Sequence, residues 1–209
     1  SSWSETSDPA GGDDDYSTMY DWRAVAVSSD GTTLAAVTGA STSRIWTSYD
    51  SGATWSTDTS GSYYWNDLRG IAMSDDGYTM AVFDYSQSIY RSVDGGASWS
   101  PASNNPSDDI YSQDWQAIAM SADGGTMVAV ATTGYNAGGF YLSTDSGANW
   151  NKAVFGGSAS LNLVDVAVAG SGSRLSAVAS GGQVWISADA GATWATEPPA
   201  GITPAPTVP

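Results

Sequence analysis

Neither cysteine nor histidine occurs among the 209 residues. Without cysteine there is no disulfide framework, and the chain carries no direct redox evidence of its compartment. Losing both types also excludes the thiolate and imidazole ligands of zinc or copper sites, which leaves oxygen ligands for hard cations. Basic residues are nearly as scarce. A single lysine, Lys152, and five arginines stand against 22 acids, for a net charge of −16. Such a surface repels phosphate backbones and anionic headgroups, so nucleic acid and membrane surfaces are not expected partners. It tolerates calcium, and it also serves solubility. Glutamate occurs only at Glu5 and Glu197, in the terminal segments. No apolar run approaches the length of a membrane-spanning helix, and no secretory leader is recognisable. Beginning at Ser1 rather than methionine, the chain is expected to be processed or excised from something longer.

What is present is small, hydroxylic and aromatic. There are 24 glycines, and 10 Trp and 11 Tyr far outnumber 3 Phe. Short strands, tight turns and aromatic plugs need such residues; long helices do not. The last segment, residues 197–209, alternates Pro with Thr and Ala and is expected to be an extended linker or stalk. Thr203 and Thr207 are its candidate O-glycosylation sites, which favours an extracellular or cell-surface location. No Asn-X-Ser/Thr sequon accompanies them.

One octet recurs four times. It runs from Ser48 through Asp50 and Gly52 to Trp55, then from Ser92 through Asp94 and Gly96 to Trp99. It returns from Ser143 through Asp145 and Gly147 to Trp150, and from Ser187 through Asp189 and Gly191 to Trp194. The tryptophans are 44, 51 and 44 residues apart. Each octet follows two apolar runs joined by a turn, as in Ala24–Val27, Asp30-Gly31 and Leu34–Val37. Apolar runs of that length around Asp-Gly are a strong hairpin signal. A third strand leads into the octet and a fourth leaves from its Trp. Four antiparallel strands per repeat is the size of one propeller blade, and blades bury their faces only by stacking. Small residues in the first strand suit a crowded axis. Within the octet the Asp carboxylate can accept amide hydrogens of its own turn, the Gly permits positive φ, and the Trp plugs the gap between sheets.

These octets resemble the Asp-box, or BNR, repeat of sialidases, sortilin-type receptors, xyloglucanases and the photosystem II assembly factor. The resemblance implies an all-β fold, a β-propeller of four blades, each a four-stranded antiparallel sheet. The expected division is an acidic segment over 1–21, a propeller over 22–196, and the tail. The blades are expected at about 22–60, 65–103, 115–155 and 163–196. Relatives usually have six or more blades, so four leave open whether the ring closes within one chain. The resemblance treats the octet as fold grammar on the rim, away from an active site. A sialidase also needs an arginine triad, a Tyr–Glu pair and an acidic proton donor, but the family's arginine-bearing motif ahead of the first Asp box is not visible and Glu occurs only in the terminal segments. Arg23 and Arg69 fall at first strands, Arg44 and Arg91 on third strands, and structural pairing with acids is their expected role. Asp67, Asp114 and Asp165 are expected to occupy similar places before successive first strands, where a paired-carboxylate glycosidase would hold its acids.

The expected function is a non-catalytic binding or surface-assembly module for glycans or proteins, with no cofactor unless calcium. Tyr16, Tyr20, Tyr63, Tyr64 and Tyr111, in loops before the first strands, are its candidate contact surface. Trp22, Trp65 and Trp115 are expected to be equivalent core plugs. Asp13, Asp14 and Asp15 are weak candidate calcium ligands, since no EF-hand spacing accompanies them. Finally, Ser2-Trp3-Ser4 copies the end of an octet, so a fourth strand stands without a blade of its own. Added to a sheet edge of another copy, it would build an oligomer or filament.

Overall fold

The computed structural model describes residues 20–40, 43–57, 65–85, 88–104, 113–132, 139–153, 162–180 and 182–196. Every regular element among them is a strand. The first sheet holds β1 (Trp22–Val27), β2 (Leu34–Thr38), β3 (Arg44–Ser48) and β4 (Ser56–Thr57) in that order. The second repeats the pattern with β5 (Leu68–Met73), β6 (Met80–Asp84), β7 (Ile89–Ser92) and β8 (Ser100–Pro101). The third comprises β10 (Asp114–Met120), β11 (Met127–Thr132), β12 (Gly139–Ser143) and β13 (Asn149–Lys152). A short strand not foreseen in the sequence, β9 (Ser103–Asn104), runs parallel to β13 on its outer edge. The fourth sheet has β14 (Leu163–Val168), β15 (Leu175–Ala179) and β16 (Val184–Ser187), and its outer strand is reduced to one bridge between Ile186 and Ala195.

All four first strands carry a bulge. The register slips at Arg23, Arg69, Gln116 and Val164, each left without a partner on the second strand. A bulge twists its strand and re-aims the extra side chain. These four bulged residues define which positions correspond between repeats.

Two turn families hold the strands at one end. In the first octet the Asp50 Oδ1 accepts from the Ser48 hydroxyl at 2.8 Å and from the Thr54 amide at 2.8 Å, and its Oδ2 from the Thr54 hydroxyl at 2.6 Å. The Ser48 Oγ in turn accepts from the Gly52 amide at 2.9 Å. Asp94, Asp145 and Asp189 repeat the same closed circuit, with Ser98, Asn149 and Thr193 as donors. The circuit forces two successive residues into the left-handed region, Ser51 at φ 59° and Gly52 at 87° in the first case. The hairpins between first and second strands use a shorter version, with Ser28, Ser74 and Ser121 donating to Asp30, Asp76 and Asp123.

Sheets stack in chain order through three apolar clusters. Between the first and second sheets lie Val37, Ile45, Ile71, Val82 and Trp99. Phe83, Ile89, Trp115, Tyr141 and Trp150 fill the next junction, and Val130, Phe140, Val166 and Leu175 the last. Alternation sorts the faces: Ala81 and Phe83 on β6 go forward to the third sheet while Met80 and Val82 go back to the first. Small residues of the first strands, such as Ala24, Gly70 and Ala117, permit the close approach near the axis. At Gly70 an added methyl would collide with the Phe83 ring.

The three tryptophans expected to be equivalent are not. Trp22, Leu68, Trp115 and Leu163 precede the four bulges, so these are the matching positions. Trp115 is buried, whereas Trp22 is exposed, no sheet among the described residues lying against the rear face of the first. Trp65 reaches its junction from three residues earlier and meets Tyr90 and Trp99 edge to face.

Candidate functional site

At the end of the sheets opposite the octets, acids and bases alternate across three repeats. Asp21 lies just before β1, Asp67 just before β5, and Asp114 opens β10. Each is two residues ahead of a bulge, so Arg23, Arg69 and Gln116 stand beside them. The Arg23 guanidinium lies 2.6 Å from Asp21 and 3.4 Å from Asp67 of the next sheet. Arg69 lies 3.5 Å from Asp67 and 3.9 Å from Asp114 of the sheet beyond. The row then turns neutral. The Gln116 amide donates to the Asp114 carbonyl at 3.2 Å, and in the fourth sheet Asn162 donates to Ser180.

Asp67 is the fulcrum. Its own φ of 57° is left-handed, and its Oδ1 accepts the Ala40 amide at 2.8 Å. That amide, followed by the charges of Arg23 and Arg69, outweighs partial burial and holds the carboxyl below the usual range. Gly39 permits this contact: a methyl there would lie 2.4 Å from Asp67 Oδ1 and 2.5 Å from Arg23 Nε. Tyr85, itself exposed, covers Arg69 with its ring centroid 4.5 Å from the guanidinium carbon. Ion pairs this exposed add at most about 1 kcal/mol each to stability, so the row contributes more to the surface than to the fold.

Arg23, Asp67, Arg69 and Asp114, singled out in the sequence, meet in this row, whereas the octets fall elsewhere. The sixteen octet residues sit at the other end, where each Asp is consumed by its own turn. Hydrogen bonds hold Asp189 at a pKa of about 2, first from the Thr193 hydroxyl and then from its amide and Ser187. Asp50 is lowered in the same way, the Thr54 hydroxyl leading. Asp94 and Asp145 are lowered too, although burial works against it. Of the candidate contact tyrosines only Tyr20 is described. It is half-buried, packed at 5.3 Å on Trp46 and 5.9 Å on Trp22. Tyr16, Tyr63, Tyr64, Tyr111, the Asp13–Asp15 run, the Ser2–Ser4 strand, Thr203 and Thr207 lie outside the described residues. Among the described residues no three acids are grouped to hold a metal ion.

One expectation needs correcting. Asp165 does not belong with Asp67 and Asp114, because it follows the bulge at Val164 rather than preceding it. It corresponds to Ala24, Gly70 and Ala117 and faces forward, while Asn162 stands in the row. Conversely, Asp21, Gln116, Tyr85 and Gly39 were missed as parts of a site. The recurrence of Asp two residues before Arg or Gln, ahead of each of the first three apolar runs, was the available signal.

Chemically, the row is charge-compensated. A general acid needs a carboxyl whose proton is held near working pH, and the Asp67 carboxyl is shifted the other way. Alternating carboxylates and guanidiniums flanked by an aromatic ring suit recognition of a partner that itself carries paired charges.

The sequence matches no protein-family model, and no curated protein is significantly similar to it. Solved structures are similar in fold. The xyloglucanase of the GH74 class from Xanthomonas campestris superposes with a TM-score of 0.62 at 18% identity, covering 90% of this chain and 32% of that one. A nidogen/laminin complex gives a TM-score of 0.61 at 13% identity, covering 81% of this chain and 61% of the other. YCF48 from Cyanidioschyzon merolae gives 0.56 at 17%, covering 86% and 56%. This chain thus spans less than two thirds of the length of each. The architecture is a β-propeller one, shared in fold with a xyloglucanase and with a nidogen/laminin complex alike.

Proposed function

We propose that this chain is an Asp-box propeller module that binds a protein partner without catalysing a reaction on it, in an extracellular or cell-surface setting. The observation that carries the reading is the row Asp21–Arg23–Asp67–Arg69–Asp114, which alternates in sign across three sheets and is capped by Tyr85. An extended peptide with charges of both signs can exchange its own ion pairs for these at little net cost, and Tyr85 supplies a flat apolar contact. The similarity in fold to a nidogen/laminin complex, an assembly of one protein with another, lends general support. Glycans are the alternative ligand for the same face, and calcium would be an auxiliary of the acidic segment.

The experiment is a binding screen on peptide and glycan arrays, run beside turnover assays with xyloglucan and fluorogenic sialosides. Peptide hits that weaken at least tenfold in Arg69→Ala and Tyr85→Ala are expected. Hydrolysis abolished by Asp67→Asn or Asp114→Asn would overturn the reading in favour of an enzyme.

A second reading, assembly by strand addition, draws support from the fourth sheet, whose outer strand is a single bridge at Ala195. There the Ser2–Ser4 strand of another copy would find an edge. Deleting residues 1–10 should dissolve any such oligomer; oligomers that survive the deletion exclude it.

A further inference from the structure

The two ends of the stack carry matching faces that no sheet among the described residues covers, although Tyr20 packs on Trp46 of the rear face and leaves it 4% exposed. Val37, Phe83 and Val130 point forward from the first three sheets and are no more than 2% exposed, but their counterpart Val178 is 36% exposed. Ile45, Ile89 and Phe140 are likewise buried, while the corresponding Val184 is 41% exposed. At the other end the rear-facing Ile71 and Val166 are nearly covered, and their counterpart Val25 is 69% exposed. Val27 shares that fate.

A ladder of backbone hydrogen bonds stops at the same two places. The Ser29 amide donates to the Asp75 carbonyl at 2.8 Å, Asp75 to Ala122 at 2.8 Å, and Ala122 to Gly170 at 2.9 Å. These are equivalent residues in successive hairpin turns, so the bond is part of every junction. Among the described residues the Gly170 amide has no acceptor and the Ser29 carbonyl no donor. The turn glycines agree. Methyls on Gly77, Gly124 and Gly172 would strike Thr33, Thr79 and Thr126 of the preceding sheet, whereas one on Gly31 would meet nothing within 4 Å.

We propose that the forward face of the fourth sheet receives the rear face of the first sheet of a second copy, head to tail. The occupant is a copy because this chain already makes that fit three times, with the same positions and the same backbone bond. Gly170 of one copy would donate to Ser29 of the next. Charge favours the pairing where the end sheets depart from the repeat. Asp165 replaces a small residue on the forward face, toward the end where Arg44 lies on the rear face. Arg174 replaces the junction threonine, beside which the next copy would place Asp30-Gly31. The contact is heterologous, so it closes a ring or extends a filament according to the rotation per copy. It uses sheet faces, and so does not depend on strand addition or on the polar row.

The test uses the full chain in analytical ultracentrifugation over a concentration series. Because each copy carries a charge of −16, association is expected to strengthen as salt screens the repulsion, over roughly 0.02 to 0.3 M. Wild type should sediment above its 21.5 kDa monomer mass as concentration rises. A rear-blocked variant, Val25→Asp with Val27→Asp, and a forward-blocked variant, Val178→Asp with Val184→Asp, should each be monomeric. Mixed in equal amounts they should form a one-to-one dimer and nothing larger, since one intact face of each kind remains. Circular dichroism melting confirms that both variants fold. Wild type that stays monomeric to roughly 100 µM, or a mixture that stays monomeric while wild type associates, would overturn the proposal. Deleting residues 1–10 should leave the association intact, which separates it from strand addition.

Discussion

The hydroxyl of Tyr49 donates a hydrogen bond to the carbonyl of Gly95 at 2.8 Å, joining the octet of the first sheet to that of the second. The other octets have Val93, Thr144 and Ala188 at the tyrosine position, so this bond occurs once. It adds a tie at the octet end of a junction that apolar packing, the backbone ladder and, at the opposite end, the contacts of Asp67 with Arg23 and Ala40 also hold. Tyr49→Phe keeps the ring and removes only the donor. A loss of about 0.5–1 kcal/mol is expected in urea unfolding, and no loss would mean that water replaces the bond freely.

Ala190 occupies the left-handed region at φ 55°, where the second octet places Gly95 at 73°. A side chain in that region costs about 1 kcal/mol relative to glycine, partly offset by glycine's greater freedom when unfolded. Ala190→Gly should therefore add about 0.5 kcal/mol of stability, seen as a higher urea midpoint with an unchanged slope. A fall in midpoint would show that the Ala190 methyl contributes more than its strain costs.

Much of this architecture was readable because each repeat states it redundantly. Ser48, Asp50, Gly52 and Trp55 each have a separate physical task in one turn, and four copies make chance agreement implausible. The bulges were not readable. A one-residue slip exchanges the two faces of a strand, and no residue type marks it, since Arg, Arg, Gln and Val all occupy the bulge. That slip is why Asp165 was grouped with Asp67 and Asp114. The open ends of the stack were hidden for a different reason: Val25 belongs to the same apolar class as Ile71, and only the missing neighbour distinguishes them. The polar row was half visible, through Arg23 and Arg69, but the partners of those arginines come from adjacent sheets.

Acid should loosen the octets. Asp189 has a folded pKa of about 2, below its ordinary 3.8. A depressed carboxyl contributes stability that is complete above the unfolded pKa and disappears as pH falls through the folded one. Asp50, Asp94 and Asp145 are shifted in the same direction. The melting temperature should thus fall between about pH 4 and pH 2, beyond any general effect of losing the negative charge. Asp189→Asn removes one titrating group while keeping an acceptor, and should shallow the fall across that window. An identical profile in the variant would show that the octets do not govern acid stability.

Gly39 sets the geometry of the polar row. A methyl at this position cannot coexist with Asp67 Oδ1 at 2.4 Å and Arg23 Nε at 2.5 Å, so Gly39→Ala must displace the pair. Because the pair is exposed, stability should drop by no more than about 1 kcal/mol. The Arg23 Nε–H signal in nuclear magnetic resonance should shift and exchange faster with solvent. Binding to any peptide captured through the row should weaken in parallel. A folded variant with full binding would place recognition elsewhere.

The octet tryptophans occupy the same place in each repeat, yet their energetic weights must differ if the stack is open at its first sheet. Trp150 is fully buried, with its indole N–H donating to the Gly147 carbonyl at 3.1 Å and its ring packed in the junction with the second sheet. Trp150→Ala removes a large side chain from a site enclosed on both sides and should cost about 3–5 kcal/mol. Trp55, its counterpart in the first sheet, has no sheet against it among the described residues and is only half-buried. Trp55→Ala should cost roughly half as much, because solvent already reaches part of the surface it leaves behind. The comparison belongs in dilute protein, where copies are apart. Equal losses for the two substitutions would mean that the front of the first sheet is covered within a single chain, and the stack would then be closed rather than open.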